Sequence, residues 1–408
     1  VNRFLQIVLF GALFLALASF VYATGGQETA AEEKVIKIGC AVSLSGRVSP
    51  EGNALKEGAE LWEKFVNDNG GIDVGGEKYR VEMIFYDDKS DSATGAKLTE
   101  KLITQDKVQF LLGPFSSGIT FATSAIGEKY KVITVAPLAN ATNVYERGFK
   151  YIFSVLPPAP KLTQPIFDLV ATYNPKPKSV AIIIANDLFP ISCAEGAKER
   201  AESLGIDVVL YEKYPAEATD VTTLLTIVKN KNPDMLLNSG YTKDALMVVR
   251  QTKEVGFNPK ILAFSVGVML PEFIPSLGAD AEYVYEGEWW LPTMDAKGPI
   301  FGSTANFVKL FEEMHGKTPD YHASCGSAAG SLLQLAIERA GTLETEAVRA
   351  EMLKMDEVLS SFPGIKFNEK GQNMSSEHPV VQVQNGEYIV VYPPQNKPVY
   401  PMPRWNER

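Results

Sequence analysis

The pattern that most restricts this chain occurs twice. Short, almost wholly apolar runs alternate with longer amphipathic ones: 35–42 (VIKIGCAV), 80–86, 108–112 and 132–135, then 179–184, 207–212, 234–238 and 260–265. Apolar runs without in–out alternation suit strands buried on both faces of a parallel sheet. Parallel neighbours need a long crossover, normally a helix, and the intervening runs supply it. Ala54, Leu55, Gly58, Leu61, Trp62, Phe65 and Val66 recur at the spacing of one helical face, and Asn69-Gly70-Gly71 ends that helix. Helices are likewise expected over 92–104, 195–204, 221–230 and 244–255. Between the two series lies 154–160 (SVLPPAP), whose prolines suit neither helix nor sheet interior. The expected fold class is α/β: two doubly wound parallel-sheet lobes, with 154–160 as the first crossing between them.

The rest adds an aromatic strand at 283–292 (YVYEGEWWLP) leading to a second crossing, and helices over 303–314, 324–340 and 344–355. A hairpin, 380–384 with 387–392, is expected about Asn385-Gly386, and the proline-rich 393–403 belongs on the surface.

With 408 residues, 45% of them hydrophobic, the chain can bury two ordinary cores. A net charge of −10 counts against nucleic acid and anionic membranes as partners. At the N-terminus, Val1 stands where a non-AUG start would put it. Arg3, the apolar run 7–18 and Val21-Tyr22-Ala23 read as a secretory signal peptide over 1–23. The polar stretch 24–33 is expected to be a disordered lead-in, and the exported chain to reside in the periplasm. Cys40, Cys193 and Cys325 are odd in number and far apart, which predicts three buried thiols rather than a metal site.

In a parallel sheet, solutes bind just beyond the carboxyl ends of the strands. The stretch 110–143 holds two such ends with a helix between them. Gly113-Pro114-Phe115-Ser116-Ser117-Gly118 opens the helix, and Ala136-Pro137-Leu138-Ala139-Asn140 follows the next strand. Unpaired N–H groups and the positive dipole end of a helix suit a carboxylate. Ser116 and Ser117 add hydroxyls there; the competing role of both is a plain N-cap. No phosphate loop, dinucleotide fingerprint, zinc-protease motif or nucleophile elbow is present. His315, His322 and His378 each stand without a ligand-spaced partner, and Asp87-Asp88 reads as capping or solvation. No enzyme, metal or cofactor is expected.

These residues fall into a pattern. Ile38-Gly39, Leu44-Ser45-Gly46, Val66-Asn67-Asp68-Asn69-Gly70-Gly71-Ile72, Tyr86-Asp87-Asp88 and Gly113-Pro114-Phe115-Ser116-Ser117 come first. Ala136-Pro137, Pro319-Asp320-Tyr321-His322-Ala323 and 364–372 (GIKFNEKGQ) complete it. On them the chain, from about residue 34 to 392, resembles the type I periplasmic solute-binding proteins of ABC importers, the group containing Leu/Ile/Val-binding proteins. The resemblance implies a monomeric clamshell joined by a three-strand hinge, its third crossing near His378-Pro379. Lobe 1 would hold 34–156 and 291–377, lobe 2 157–290 and 378–408. The clamshell would close on a small solute, an amino acid above all, and present it to membrane permease subunits; the alternative is a periplasmic sensory receptor that signals by the same closure.

It also implies a site. Phe115, Ser116, Ser117, Leu138, Ala139 and Asn140 would hold a ligand carboxylate, with Asn140 where relatives often carry Thr. Phe189 and Tyr241 would face them from the other lobe. Relatives place an acid after the strand that here ends at Ser265, and this chain has none there. Two alternatives follow. Glu51 supplies the negative charge for a ligand ammonium, or Arg47 takes a carboxylate and the solute is an amide, urea or aromatic carboxylate rather than an α-amino acid.

Overall fold

The protein is seen here as a computed structural model, described for residues 34–375 and 378–408. The expected signal peptide over 1–23 and lead-in over 24–33 lie outside the described residues.

Two sheets organise what is described. The first comprises β1 (Val35–Val42), β2 (Ile72–Val74), β3 (Glu77–Asp87), β4 (Phe110–Leu112), β5 (Thr134–Ala136) and β6 (Ile152–Ser154), in the order β2-β3-β1-β4-β5-β6. All neighbours are parallel except the β2–β3 hairpin. Its crossovers are α1 (Ser49–Asp68), α2 (Ser92–Thr104), α3 (Ser117–Tyr130) and the short α4 (Thr142–Tyr145). Then α5 (Pro160–Ala171) leads into β7 (Ser179–Ala185), α6 (Leu188–Ser203), β8 (Asp207–Tyr214), α7 (Thr222–Lys231), β9 (Met235–Ser239), α8 (Thr242–Glu254) and β10 (Ile261–Phe264). Helix α9 (Phe273–Leu277) precedes β11 (Tyr285–Gly287). The second sheet runs Glu387–Tyr392, Val380–Gln384, β11, β10, β9, β7, β8, antiparallel only where the hairpin joins it.

This order fixes where a solute can bind. From β1 the chain steps to β3 on one side and β4 on the other; from β7 it steps to β8 on one side and β9 on the other. At such a switch point neighbouring loops leave in opposite directions and open a crevice at the carboxyl ends of the strands. One crevice lies between loops 43–48 and 113–116, the other between 186–187 and 240–241.

The remaining helices are α10 (Thr304–His315), α11 (Tyr321–Ala340) and α12 (Thr345–Leu353). Helix α11 packs backbone to backbone against α1: a Cβ on Gly58 would fall 1.9 Å from the Ala323 carbonyl oxygen, and one on Gly326 2.2 Å from that of Leu55. The small residues that open α11 therefore serve helix packing. All three cysteines are free and buried.

Local capping moves three expected boundaries. Helix α6 starts at Leu188 rather than 195, because Asp187 Oδ1 accepts the Leu188 N–H at 2.7 Å. Helix α11 starts at Tyr321 rather than 324, capped by Asp320 on the Ala323 N–H at 3.0 Å. The aromatic strand shrinks to β11, because Glu288 turns its N–H to the Pro379 carbonyl (2.8 Å). There 286–290 runs beside His378-Pro379, while Ser154 donates its N–H to the Gly371 carbonyl (2.9 Å).

Candidate functional site

The two crevices face each other across one cavity. It is a narrow cavity of about 10 Å³, lined by Phe115, Ser116, Ser117, Leu138, Leu156, Phe189, Tyr241, Trp289 and Tyr321. Of the candidates read from the sequence, Phe115, Ser116, Ser117, Leu138, Phe189 and Tyr241 stand in this wall. Ala139, Asn140, Ser265, Arg47 and Glu51 stand behind or beside it.

The first wall is a strand–helix junction. Ser116 takes a left-handed φ of 75° and caps α3, its Oγ accepting the Ile119 N–H at 3.2 Å. Ser117 is fully buried, and its Oγ accepts the N–H groups of Asn140 (3.2 Å) and Ala141 (3.1 Å). With its lone pairs used, that hydroxyl is left with a proton to donate. The first N–H groups of α3 have no intrahelical acceptor by helix geometry, so donors converge here on a site for an anion. Asn140 donates Nδ2–H to the Pro157 carbonyl (2.7 Å), which ties this wall to the first crossing, and its Oδ1 is buried without a partner. Ala139 turns its carbonyl away to the Tyr145 hydroxyl (2.6 Å).

The second wall is aromatic. Phe189, on the first turn of α6, stacks on Tyr241 at 5.8 Å, and Phe115 meets the Tyr241 ring edge-on at 5.7 Å. Ser265 lies behind this pair, its Oγ accepting the Gly240 N–H at 3.2 Å. Burial, then the Asp187 charge, pushes the Tyr241 hydroxyl well up, so it stays a neutral donor to Asp187 Oδ2 at 3.3 Å.

Arg47 and Glu51 close the seam between the crevices. Arg47 Nη2 meets Asp187 Oδ2 at 2.7 Å, its Nε meets Glu217 at 3.1 Å, and the guanidinium lies 4.9 Å over the Tyr241 ring. Burial opposes that charge, but Tyr241 and Asp187 outweigh it and raise the Arg47 pKa. Glu51 is 2% exposed; its Oε1 accepts the Thr242 hydroxyl (2.8 Å) and N–H (3.3 Å), while Oε2 has no partner.

Carboxylates exceed cations around the cavity. Asp244, beneath Tyr241, is pushed up to about 6, chiefly by burial. Close enough to Tyr321 to act on it lie Glu288, Glu286 and Asp320, with His322 beside Asp320 at 3.3 Å (Nδ1 to Oδ2). Burial drives the carboxyls of Glu286 and Glu288 upward. It acts likewise on Asp320, but the charge and hydrogen bond of His322 and the Ala323 N–H outweigh it and hold that group below the usual range. Among the described residues no group of His, Cys, Asp or Glu is arranged to hold a metal ion.

The profile of the periplasmic binding protein family matches residues 35–387. The chain belongs to that family. Its members bind solutes and are not enzymes. This periplasmic binding protein is 24% identical over 372 residues to Leu/Ile/Val-binding protein homolog 7 of Brucella abortus, covering 88% of this chain and 91% of that one. It shares its fold with LivJ, a branched-chain amino acid transporter substrate-binding protein of Streptococcus pneumoniae solved with isoleucine (TM-score 0.76, 24% identity, 88% and 99% of the two chains). A solute-binding protein of an R. palustris ABC transporter, solved with benzoate, is as similar in fold (TM-score 0.76, 19% identity, 88% and 95%).

Sequence reasoning on this periplasmic binding protein missed Leu156, Trp289 and Tyr321 in the wall and the acids Asp187, Glu286, Glu288 and Asp320 around it. Their signal was position: Asp187 directly follows a strand of the second series, and 286–290 sits at a crossing. Among the described residues no helix is long and apolar enough to cross a membrane.

Proposed function

We propose that this protein is the periplasmic substrate-binding component of an ABC importer, exported by its leader, and that it captures an amino acid, most plausibly a branched-chain one. Residues 34–156 with 291–377 form one lobe and 157–290 with 378–408 the other. Closure of the two around the solute creates the form that the membrane permease recognises. The observation that carries this reading is the pairing of one wall that converges donors at Ser117 and the N-terminus of α3 with a surround rich in carboxylates. A zwitterion is answered at both ends by that pairing, and the apolar rings between suit an aliphatic side chain. A micromolar Kd needs about −8 kcal/mol, within reach of charge-assisted hydrogen bonds in a closed apolar cavity.

A second reading, an aromatic carboxylate, draws support from the rings of Phe115, Phe189, Tyr241, Trp289 and Tyr321. The buried acids favour the first reading, since an ammonium stabilises their ionised form and a pure anion does not. Mass spectrometry of small molecules released on denaturing the purified protein separates the two: an α-amino acid is expected, and a benzoate-type acid overturns the first reading. Uptake of the released compound should fall in a deletion strain.

A further inference from the structure

We propose that Glu288 is the specificity-determining residue that reads the ammonium group of the bound solute, across the cavity from the Ser117 end. This rests on the amino-acid reading above. Strand β11 lies parallel to β10 with Glu286 registered on Phe264, the last residue of β10. Glu288 therefore stands just past the carboxyl edge of the sheet, where solutes bind. Its neighbour Trp289 is part of the cavity wall.

Glu288 is 1% exposed and firmly held. Its N–H goes to Pro379 (2.8 Å), and its Oε1 accepts the N–H groups of Trp289 (2.7 Å) and Trp290 (3.5 Å). Oε2 has no partner. A buried carboxylate oxygen without a partner is costly, and its natural answer is a cation or donor brought from outside. Among the described residues no side chain pairs with it. Glu286 and Asp320 add like charge, and Tyr321, Cys325 and Tyr388 carry neutral groups facing the pair. His322, beside Asp320 at 3.3 Å, and His378, against the Trp289 ring at 4.3 Å, hold buried ring nitrogens without a hydrogen bond, and neither bonds this oxygen. Tyr321, which shares the cavity wall with Trp289, lies close enough to feel the Glu288 charge, so an ammonium drawn in beside these two residues is the partner this oxygen lacks.

Two consequences can be read. Burial raises the Glu288 carboxyl well above the usual range; an arriving ammonium favours the ionised form, so binding should be accompanied by proton release. The residue should also matter only for solutes that carry the ammonium. The test is calorimetric titration of wild type, Glu288→Gln, Glu288→Asp and Glu51→Gln with L-leucine and with its des-amino counterpart 4-methylpentanoate, in buffers of differing ionisation enthalpy. Wild type should prefer leucine by about tenfold or more and release a proton on binding it. Glu288→Gln should lose the preference and the proton release yet bind 4-methylpentanoate at least as well, and Glu288→Asp should recover part of both. A merely structural role would weaken both solutes equally. If Glu288→Gln keeps the preference, or Glu51→Gln alone erases it, the assignment is wrong while the amino-acid reading stands. If wild type binds 4-methylpentanoate as tightly as leucine, the amino-acid reading falls and takes the assignment with it.

Discussion

The two walls of the cavity meet their polar groups in different ways. On the first, Ser117 Oγ already accepts two N–H groups and Ser116 Oγ one, with only Asn140 Oδ1 left over. Beside the second, next to Trp289 in the chain, Glu286 and Glu288 are buried, and each keeps one oxygen without a partner. A wall complete in itself receives any carboxylate in the same way. A wall that lacks a partner discriminates, because a solute without the missing group leaves a buried polar atom unanswered. On the proposed function, the first wall would supply the grip common to many solutes and the second the choice among them.

The largest expected effect comes from keeping the walls apart. A Cβ on Gly118 would lie 2.7 Å from Asp187 Oδ1, so a branched residue there must push the Asp187 carboxylate off the seam. Gly118→Val should weaken every solute about 100-fold, roughly 2.7 kcal/mol, with little change in ligand-free melting. Scattering should show no compaction on adding solute. Undiminished affinity would mean that the walls do not meet here.

Next is the first wall itself. Ser117→Ala leaves the N–H groups of Asn140 and Ala141 without their acceptor, which should cost about 1–3 kcal/mol of stability in a denaturant titration. Affinity should fall about tenfold for leucine and 4-methylpentanoate alike. A changed ratio between them would place discrimination on this wall and break the comparison. Arg47→Met should do less. It removes ion pairs to Asp187 and Glu217 across the seam, of which Glu217 is largely exposed. A loss of about 1 kcal/mol in closure free energy is expected, read as a few-fold weaker binding of either solute and a shallower salt dependence.

How far the sequence foretells all this follows the physics of each part. Strands buried on both faces leave continuous apolar runs, so β1 and β7 are legible at their starting residues. Ser117 is legible because a strand–helix junction is a local feature. Phe189 is legible as a side chain, but the early start of α6 depends on Asp187 acting as cap, a residue equally at home in a loop. Glu288 is not legible. Its neighbours Trp289 and Trp290 suggest a covered crossing, and nothing in 283–292 says that the acids point inward. That is settled by Pro379 and Asp320, which lie roughly ninety and thirty residues further along the chain.

The smallest effect on affinity should come from Asp88, the first sheet's own buried carboxylate with an unanswered oxygen. Its Oδ1 accepts the Ser43 hydroxyl (2.6 Å) and the Ser90 N–H (2.8 Å), and Oδ2 has no partner. It braces the loop that carries Arg47 but lines no part of the cavity. Burial, its main influence, pushes this carboxyl up to about 6 from the ordinary 3.8. The folded protein thus holds a proton that the unfolded chain releases between about pH 4 and pH 6. The stability this supplies is complete below about pH 4 and is lost as pH rises through 6. Melting of the ligand-free protein followed across that window should therefore fall more steeply in wild type than in Asp88→Asn, by a difference on the order of 2 kcal/mol. Leucine affinity and its preference over 4-methylpentanoate should stay within about twofold. An unanswered buried oxygen would then matter for selectivity only where a solute can reach it. If Asp88→Asn instead alters the preference, burial alone rather than position at the second wall is what discriminates.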